Sequence, residues 1–336
     1  LTIGNQFERQ HMSLDPELQR VLQAIPSDFP LPVDWDAVRQ ASKAMEPMLV
    51  GAGGLAPVKS VEEHRFDGPA GPIDLRVYRP HVVPAMTVIH FHGGGWALGD
   101  LDSSDHTVRK ICRSLGTIVV SCTYRRSPEN PFPAAYDDAL AQAKWVLSHV
   151  DELGGDAERV VIVGDSAGGN LSAAVTIALR DERRLAIAAL KQPLPALRAQ
   201  LLLYPGVDLR VAARKSPSFL ADLDPTLPAP MIDECISAYI RGDYLADWRA
   251  SPLAAEDLSC LPPAVVVVLT VDPLHDQGAE YAARLKEAGV ACELIEFPHL
   301  THGFCHIGAL VPAAAAAFEE VLTRFGQFAD IGNGTK

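Results

Sequence analysis

Apolar positions along this chain fall into two rhythms, unbroken short runs and a recurrence every three or four residues. The runs are TVIHFH (87–92), TIVVSCTY (117–124), RVVIVG (159–164), AQLLLYP (199–205) and AVVVVLT (264–270), with CELIEFP (292–298) after them. They are short, rich in β-branched residues and do not alternate strictly, as expected of strands covered on both faces. Between them Val108, Ile111, Cys112 and Leu115 recur at helical spacing, behind Ser103 and Ser104 as candidate caps. Tyr136, Leu140, Ala143 and Leu147 do the same, as do Tyr281, Leu285 and Ala288 ahead of Gly289, a residue suited to the left-handed end of a helix. Strand and helix taking turns predict a mostly parallel central sheet with helices on both faces.

Two regions depart from that alternation. Residues 62–80 read as an antiparallel hairpin at the sheet's edge, with Ile73, Leu75 and Val77 on one face. Residues 207–250 contain no strand pattern; they carry Pro217, Pro225, Pro228 and Pro230, then a helical stretch with Met231, Cys235 and Tyr239. The first fifty residues are likewise helical, in LDPELQRVLQAI and DWDAVRQASKAMEPM. The expected organisation is a cap segment over 1–50, core over 51–206, a second cap segment over 207–250 and core again over 251–336. The two helical segments would pack together as a lid. Within the first, residues 1–11 are expected to be vector-derived, with the natural start at Met12. Beyond a short alanine stretch at 313–317 there is no low-complexity run.

Composition narrows the partners. Of 336 residues 48% are hydrophobic and 21% charged, and the formal charge is −13. That balance argues against nucleic acid, because phosphate binding needs clustered Lys and Arg. No apolar stretch reaches the roughly 18 to 20 residues of a membrane span. There is no signal-peptide h-region, so a cytoplasmic protein is the expectation. The six cysteines (112, 122, 235, 260, 292, 305) form no CxxC pair and are expected to be buried free thiols.

Against this background one corner stands out. Gly164-Asp165-Ser166-Ala167-Gly168 follows a strand run and precedes the helix-prone LSAAVTIAL. A serine at the apex of a sharp strand-to-helix turn is held in strained geometry, and side chains two residues either side would collide. The turn lifts Oγ above the sheet's carboxyl edge, beside the free N–H groups of a helix N-terminus. A hydroxyl needs a base, and the base an orienting acid, in the chain order Ser, acid, His. VDPLHDQG after the run 264–270 offers Asp272 and Asp276; Asp272 is preferred because it lies nearer the strand end, and Asp276 suits a capping or supporting role. HLTHGFCH offers His299, His302 and His306, and His302 is preferred because Gly303 permits an exposed loop. No metal is expected at these histidines. Finally, His92-Gly93-Gly94-Gly95-Trp96 follows a strand. Three consecutive glycines cost chain entropy unless backbone N–H groups must approach a substrate oxygen, together with the N–H of Ala167.

Taken together, HGGGW at 92–96, YRRSPENPFPAAYDD at 124–138, GDSAGGN at 164–170, DPLHDQG at 272–278 and HGF at 302–304 resemble the hormone-sensitive-lipase-like esterases. That bacterial branch of the α/β-hydrolase fold is matched in order over about two-thirds of the chain. The resemblance implies Ser166 as nucleophile, Asp272 as acid, His302 as base, and Gly94, Gly95 and Ala167 as oxyanion-hole donors. His92 and Gly93 would support the loop. It also implies short- to medium-chain esters as substrates, no cofactor, and a homodimer in many members. Trp96, Asp165, Phe219, Leu220, Met231 and Tyr239 are the candidate pocket residues. YRRSPE stands where members tend to have YRLAPE, LTV precedes Asp272 where a glycine is frequent, and HLTHGF replaces the usual small turn; these bear on pocket shape and substrate. A lactonase, carbohydrate deacetylase, amidase or small peptidase would use the same three residues. A receptor that has lost catalysis would lack the working histidine.

Overall fold

Neighbouring residues on each strand serve two different cores, and that arrangement defines the layers. A computed structural model describes residues 14–23, 31–84 and 86–331; the vector-derived expectation for 1–11 lies outside them. Val88, Val119 and Val161 pack into one apolar cluster, whereas Ile89, Val120 and Ile162 pack into another. A strand whose side chains alternate between two buried faces must be apolar throughout, so these segments read as unbroken runs.

The sheet has eight strands in the order β1-β2-β4-β3-β5-β6-β7-β8. They are β1 (Ser60–Gly68), β2 (Gly71–Arg79), β3 (Thr87–Phe91), β4 (Ile118–Cys122), β5 (Val160–Asp165), β6 (Ala199–Leu203), β7 (Ala264–Leu269) and β8 (Cys292–Phe297). β1 pairs antiparallel with β2, and β2 with β4. From β4 to β8 every pairing is parallel. α3 (Asp105–Leu115) and α9 (Pro312–Ile331) cover one face; α4 (Ala134–His149), α5 (Ala167–Ala188) and α8 (His275–Glu287) cover the other. The mostly parallel sheet with helices on both faces is therefore as the sequence pattern predicts.

Two local expectations are corrected, the serine caps of α3 and the burial of all six thiols. Ser103 and Ser104 do not cap α3: Ser104 has helical φ and ψ and no side-chain capping bond, and its Oγ donates to the Asp100 carbonyl at 3.0 Å. The alanine stretch at 313–317 is the first part of α9, whose Ala314, Phe318, Val321, Leu322 and Phe325 are fully buried. The six thiols are free, but Cys260 is exposed and Cys292 half-buried. Among the described residues no helix is long and apolar enough to cross a membrane.

Outside the layers lie α1 (Pro16–Gln23), α2 (Trp35–Val50), the short α6 (Pro217–Ala221) and α7 (Ala229–Tyr239). α2 starts with Asp34 capping the Ala37 N–H at 3.1 Å. It is held down by Arg39, which donates to the Ala97 carbonyl (2.9 Å), the Ser127 carbonyl (2.8 Å) and both carboxylate oxygens of Glu129 (2.7 and 2.8 Å). Segments from before β1 and from between β6 and β7 thus come to lie over the carboxyl ends of β3 and β5, where the connection order of the sheet reverses.

Candidate active site

The site grows out of the pairing of β3 with β5, which sets Phe91 opposite Gly164. The chain leaving β3 (His92–Trp96) and the turn leaving β5 (Asp165–Ala167) are therefore adjacent. At that turn Ser166 adopts φ +53°, ψ −118°, outside the regions open to L-residues without strain. Such a conformation costs on the order of 1–3 kcal/mol and persists only where surroundings enforce it. Enforcement comes from β6, whose Leu203 carbonyl accepts the Ser166 N–H at 2.9 Å. It comes also from the flanking glycines: a Cβ on Gly164 would lie 2.2 Å from the Gly168 carbonyl oxygen, and one on Gly168 would lie 2.0 Å from that of Phe91. Asn170, last in the same motif, donates to the carbonyls of Gly206 (2.7 Å) and Ala250 (2.8 Å) and so ties α5 to the loop after β6.

Three side chains from three loops meet here. The His302 ring reaches Ser166 Oγ through Nε2 at 2.8 Å and Asp272 Oδ2 through Nδ1 at 2.7 Å. Asp272 is fully buried, and its other oxygen accepts the Leu274 N–H at 2.8 Å. Burial by itself pushes the His302 pKa down. The charge and hydrogen bond of Asp272, with the charges of Asp224 and Asp165, outweigh it and leave the pKa above its ordinary value. The Tyr204 ring packs against the imidazole at 4.6 Å. In this arrangement the ring can accept the hydroxyl proton, and the carboxylate can stabilise the imidazolium that results.

The rival candidates fall elsewhere. His299 is exposed, and its carbonyl accepts the Asp15 N–H. Asp276 joins His275 at 2.9 Å and accepts the Ser218 N–H at 2.9 Å, linking α8 to α6. His306 lies behind the glycine loop, with Nε2 3.0 Å from Asp165 Oδ2 and Nδ1 2.9 Å from Thr107 Oγ1. Asp165 Oδ1 accepts the Gly93 N–H at 3.0 Å. Burial opposes the charge on Asp165, yet His306 and the neighbouring histidines hold its carboxyl down to about 2. Asp165, Cys305 and His306 bring ligand-type atoms within 4.8 Å of one another. Each already has a partner there, Cys305 Sγ being 2.8 Å from the Tyr204 hydroxyl.

The glycine loop presents backbone rather than side chains. Gly94 has φ +112°, and a Cβ there would lie 2.6 Å from the Leu98 carbonyl oxygen; Gly95 has φ +57°. Among the described residues the N–H groups of Gly94 and Gly95 meet no hydrogen-bond acceptor. Ala167 begins α5, so its N–H is one of the four a helix leaves free. His92 shapes the loop from within: its Nδ1 is 2.8 Å from the Gly93 carbonyl, and its ring stacks on Tyr124 at 4.4 Å. Tyr124 in turn donates to the His92 carbonyl at 2.9 Å.

Above Ser166 opens a cavity of about 730 Å³. Its walls come from α1 and α2 (Leu18, Val38, Met45), from Trp96, and from α6 and α7 (Phe219, Met231, Ile232). Two pocket expectations are corrected. Leu220 faces solvent, 70% exposed, because it lies on the far side of the short helix that turns Phe219 inward. Tyr239 is fully buried behind the wall, stacked on Trp96 at 4.5 Å. Asp165 reaches the wall, but its carboxylate is occupied by Gly93 and His306. Arg39 and Asp224 sit in no motif, and only the fold brings them to the site; His306, a rival for the base by sequence, is instead the partner of Asp165.

A family model described as alpha/beta hydrolase fold matches residues 88–306. Esterase LipI of Mycobacterium tuberculosis is 36% identical, covering 91% of this chain and 92% of that protein. Carboxylesterase NlhH of the same organism is 38% identical, covering 90% and 92%. Among solved structures, the hyperthermophilic esterase of the archaeon Pyrobaculum calidifontis superposes with a TM-score of 0.83 at 33% identity, covering 95% and 99%.

Proposed function

The chain belongs to the hormone-sensitive-lipase-like branch of the alpha/beta hydrolase fold and is a carboxylesterase, and we propose that Ser166, His302 and Asp272 carry its chemistry. The observation that supports this most is the His302 ring lying 2.8 Å from Ser166 Oγ and 2.7 Å from Asp272. His302 takes the hydroxyl proton as Oγ attacks the ester carbonyl. The N–H groups of Gly94, Gly95 and Ala167 receive the oxyanion, and one such donor is worth roughly 3 kcal/mol. The alcohol leaves with the proton from His302. Water, deprotonated by the same ring, then attacks the acyl-enzyme and releases the acid and Ser166.

The substrates in this reading are esters with short- to medium-chain apolar acyl groups, a class suited to a roughly 730 Å³ cavity walled by aliphatic and aromatic side chains. Residues up to 50 and 207–250 act as the cap, and the rest as the catalytic core. A homodimer is part of the reading, for sedimentation to test. The receptor alternative needs a missing base, whereas His302 lies within hydrogen-bond reach of the serine.

The test is hydrolysis of p-nitrophenyl butyrate by Ser166→Ala. The expected result is a fall in kcat on the order of 10⁶. Turnover near the wild-type rate would remove the assignment.

A further inference from the structure

The cap reaches the catalytic histidine through its backbone. Asp224 lies between α6 and α7, is 1% exposed, and is absent from the cavity wall. Its Oδ2 accepts the His302 N–H at 2.6 Å. Its Oδ1 accepts the Thr226 N–H at 2.8 Å and the Thr226 hydroxyl at 2.6 Å. That hydroxyl also lies 3.2 Å from the His302 carbonyl. Both peptide groups of His302 thus meet two residues from the second cap segment.

Such an arrangement calls for a reason, because burying a carboxylate is costly unless it is well bonded. Burial raises the Asp224 pKa and the nearby charge of Asp272 raises it further, while its bonds to His302 and Thr226 work the other way. Helix formation does not explain the placement: the α7 N-terminus is served by another residue, Asp222, which accepts the Ala229 N–H at 2.8 Å. What Asp224 does hold is the loop after β8, at the position just before Gly303 with φ +77°. A ring that must span two partners, each under 3 Å away, needs that backbone fixed.

We propose that Asp224, assisted by Thr226, is a positioning residue for His302, so that the second cap segment sets the alignment of the catalytic base. The inference rests on the reading of Ser166, His302 and Asp272 given above. It has a consequence for substrate binding, since Pro225, Thr226 and Leu227 line the cavity. An acyl group pressing on them bears on the segment that anchors the base. The groups acting on the imidazole are Asp272, Asp224 and Asp165 by charge, with Ser166 Oγ and the Tyr204 ring in contact.

Asp224→Ala and Asp224→Asn, compared with Ser166→Ala on p-nitrophenyl butyrate, test it. Asp224→Ala is expected to lower kcat about ten- to a hundredfold while KM changes less than about twofold, as for a misplaced catalytic group. Asp224→Asn keeps a carbonyl oxygen for the His302 N–H and is expected to recover most of kcat. Having lost a negative charge, it should also move the acidic limb of the kcat/KM profile to lower pH. Titration of active sites with a p-nitrophenyl phosphonate scales each rate to folded enzyme, and the isosteric Asn variant carries the test if the Ala variant does not fold. Wild-type kcat per titrated site in Asp224→Ala, or an Asn variant with an unmoved limb, would overturn the proposal. Survival of activity in Ser166→Ala would instead overturn the reading beneath it.

Discussion

Ser166 shows why part of this site could be read from sequence and part could not. Its φ of +53° requires glycines two positions away on either side, within one five-residue motif. A constraint that local leaves a local signature. The pocket residues have none: Phe219 and Leu220 are neighbours of similar character, and only the facing of α6 turns one inward and the other to water. Asp224 is likewise invisible until the fold sets it beside residue 302. At this scale two outcomes are expected. As the proposed base His302 must be neutral, and its pKa lies above the ordinary 6.5 because the surrounding carboxylates outweigh burial. The kcat/KM profile should therefore rise with pH through a midpoint above 6.5; a plateau extending below pH 6 would contradict the assigned environment. Gly94→Ala should lower kcat by roughly a hundredfold or more, as loss of an oxyanion donor does. The added Cβ would meet the Leu98 backbone, and φ +112° suits glycine. Steady-state kinetics on the purified variant check this.

The elements follow a similar division. Strands buried on both faces announce themselves as continuous apolar runs, so the sheet was legible, including its antiparallel hairpin. α9 carries the helical period in Phe318, Val321, Leu322 and Phe325, behind an alanine run that itself favours helix. The serines before α3 show the limit of capping rules: a Ser at the boundary can bond backwards to a turn carbonyl instead. α2 was legible as a helix, but its docking was not, since Arg39 is one of many exposed-looking charges until its partners are known. Its side chain is 17% exposed and joins α2 to the carbonyls just after Trp96 and before Pro128. Arg39→Ala should therefore lower the melting temperature by a few degrees, consistent with a net loss of about 1–2 kcal/mol once water replaces partners as exposed as Glu129. It should also raise KM severalfold while leaving kcat nearly unchanged, because α2 forms cavity wall but touches none of the three reacting side chains. An unchanged KM for butyrate and hexanoate esters would deny the wall that role.

At the scale of the whole molecule, the site is a meeting of distant segments. Loops after β3, β5, β7 and β8 carry the residues proposed for the chemistry, and segments from before β1 and after β6 line the cavity above them. The enclosure implies a chain-length optimum: across p-nitrophenyl esters from acetyl to palmitoyl, kcat/KM should peak at a short or medium acyl chain and fall for the long ones, where a rise to palmitoyl would contradict a bounded cavity. The central claim, that Ser166 is the nucleophile raised by His302, is tested most directly by intact-protein mass spectrometry after reaction with a p-nitrophenyl phosphonate. The account predicts one phosphonyl group per chain, mapped by peptide analysis to Ser166 and formed far more slowly in His302→Ala. An adduct on another residue, with Ser166 unmodified, would contradict it.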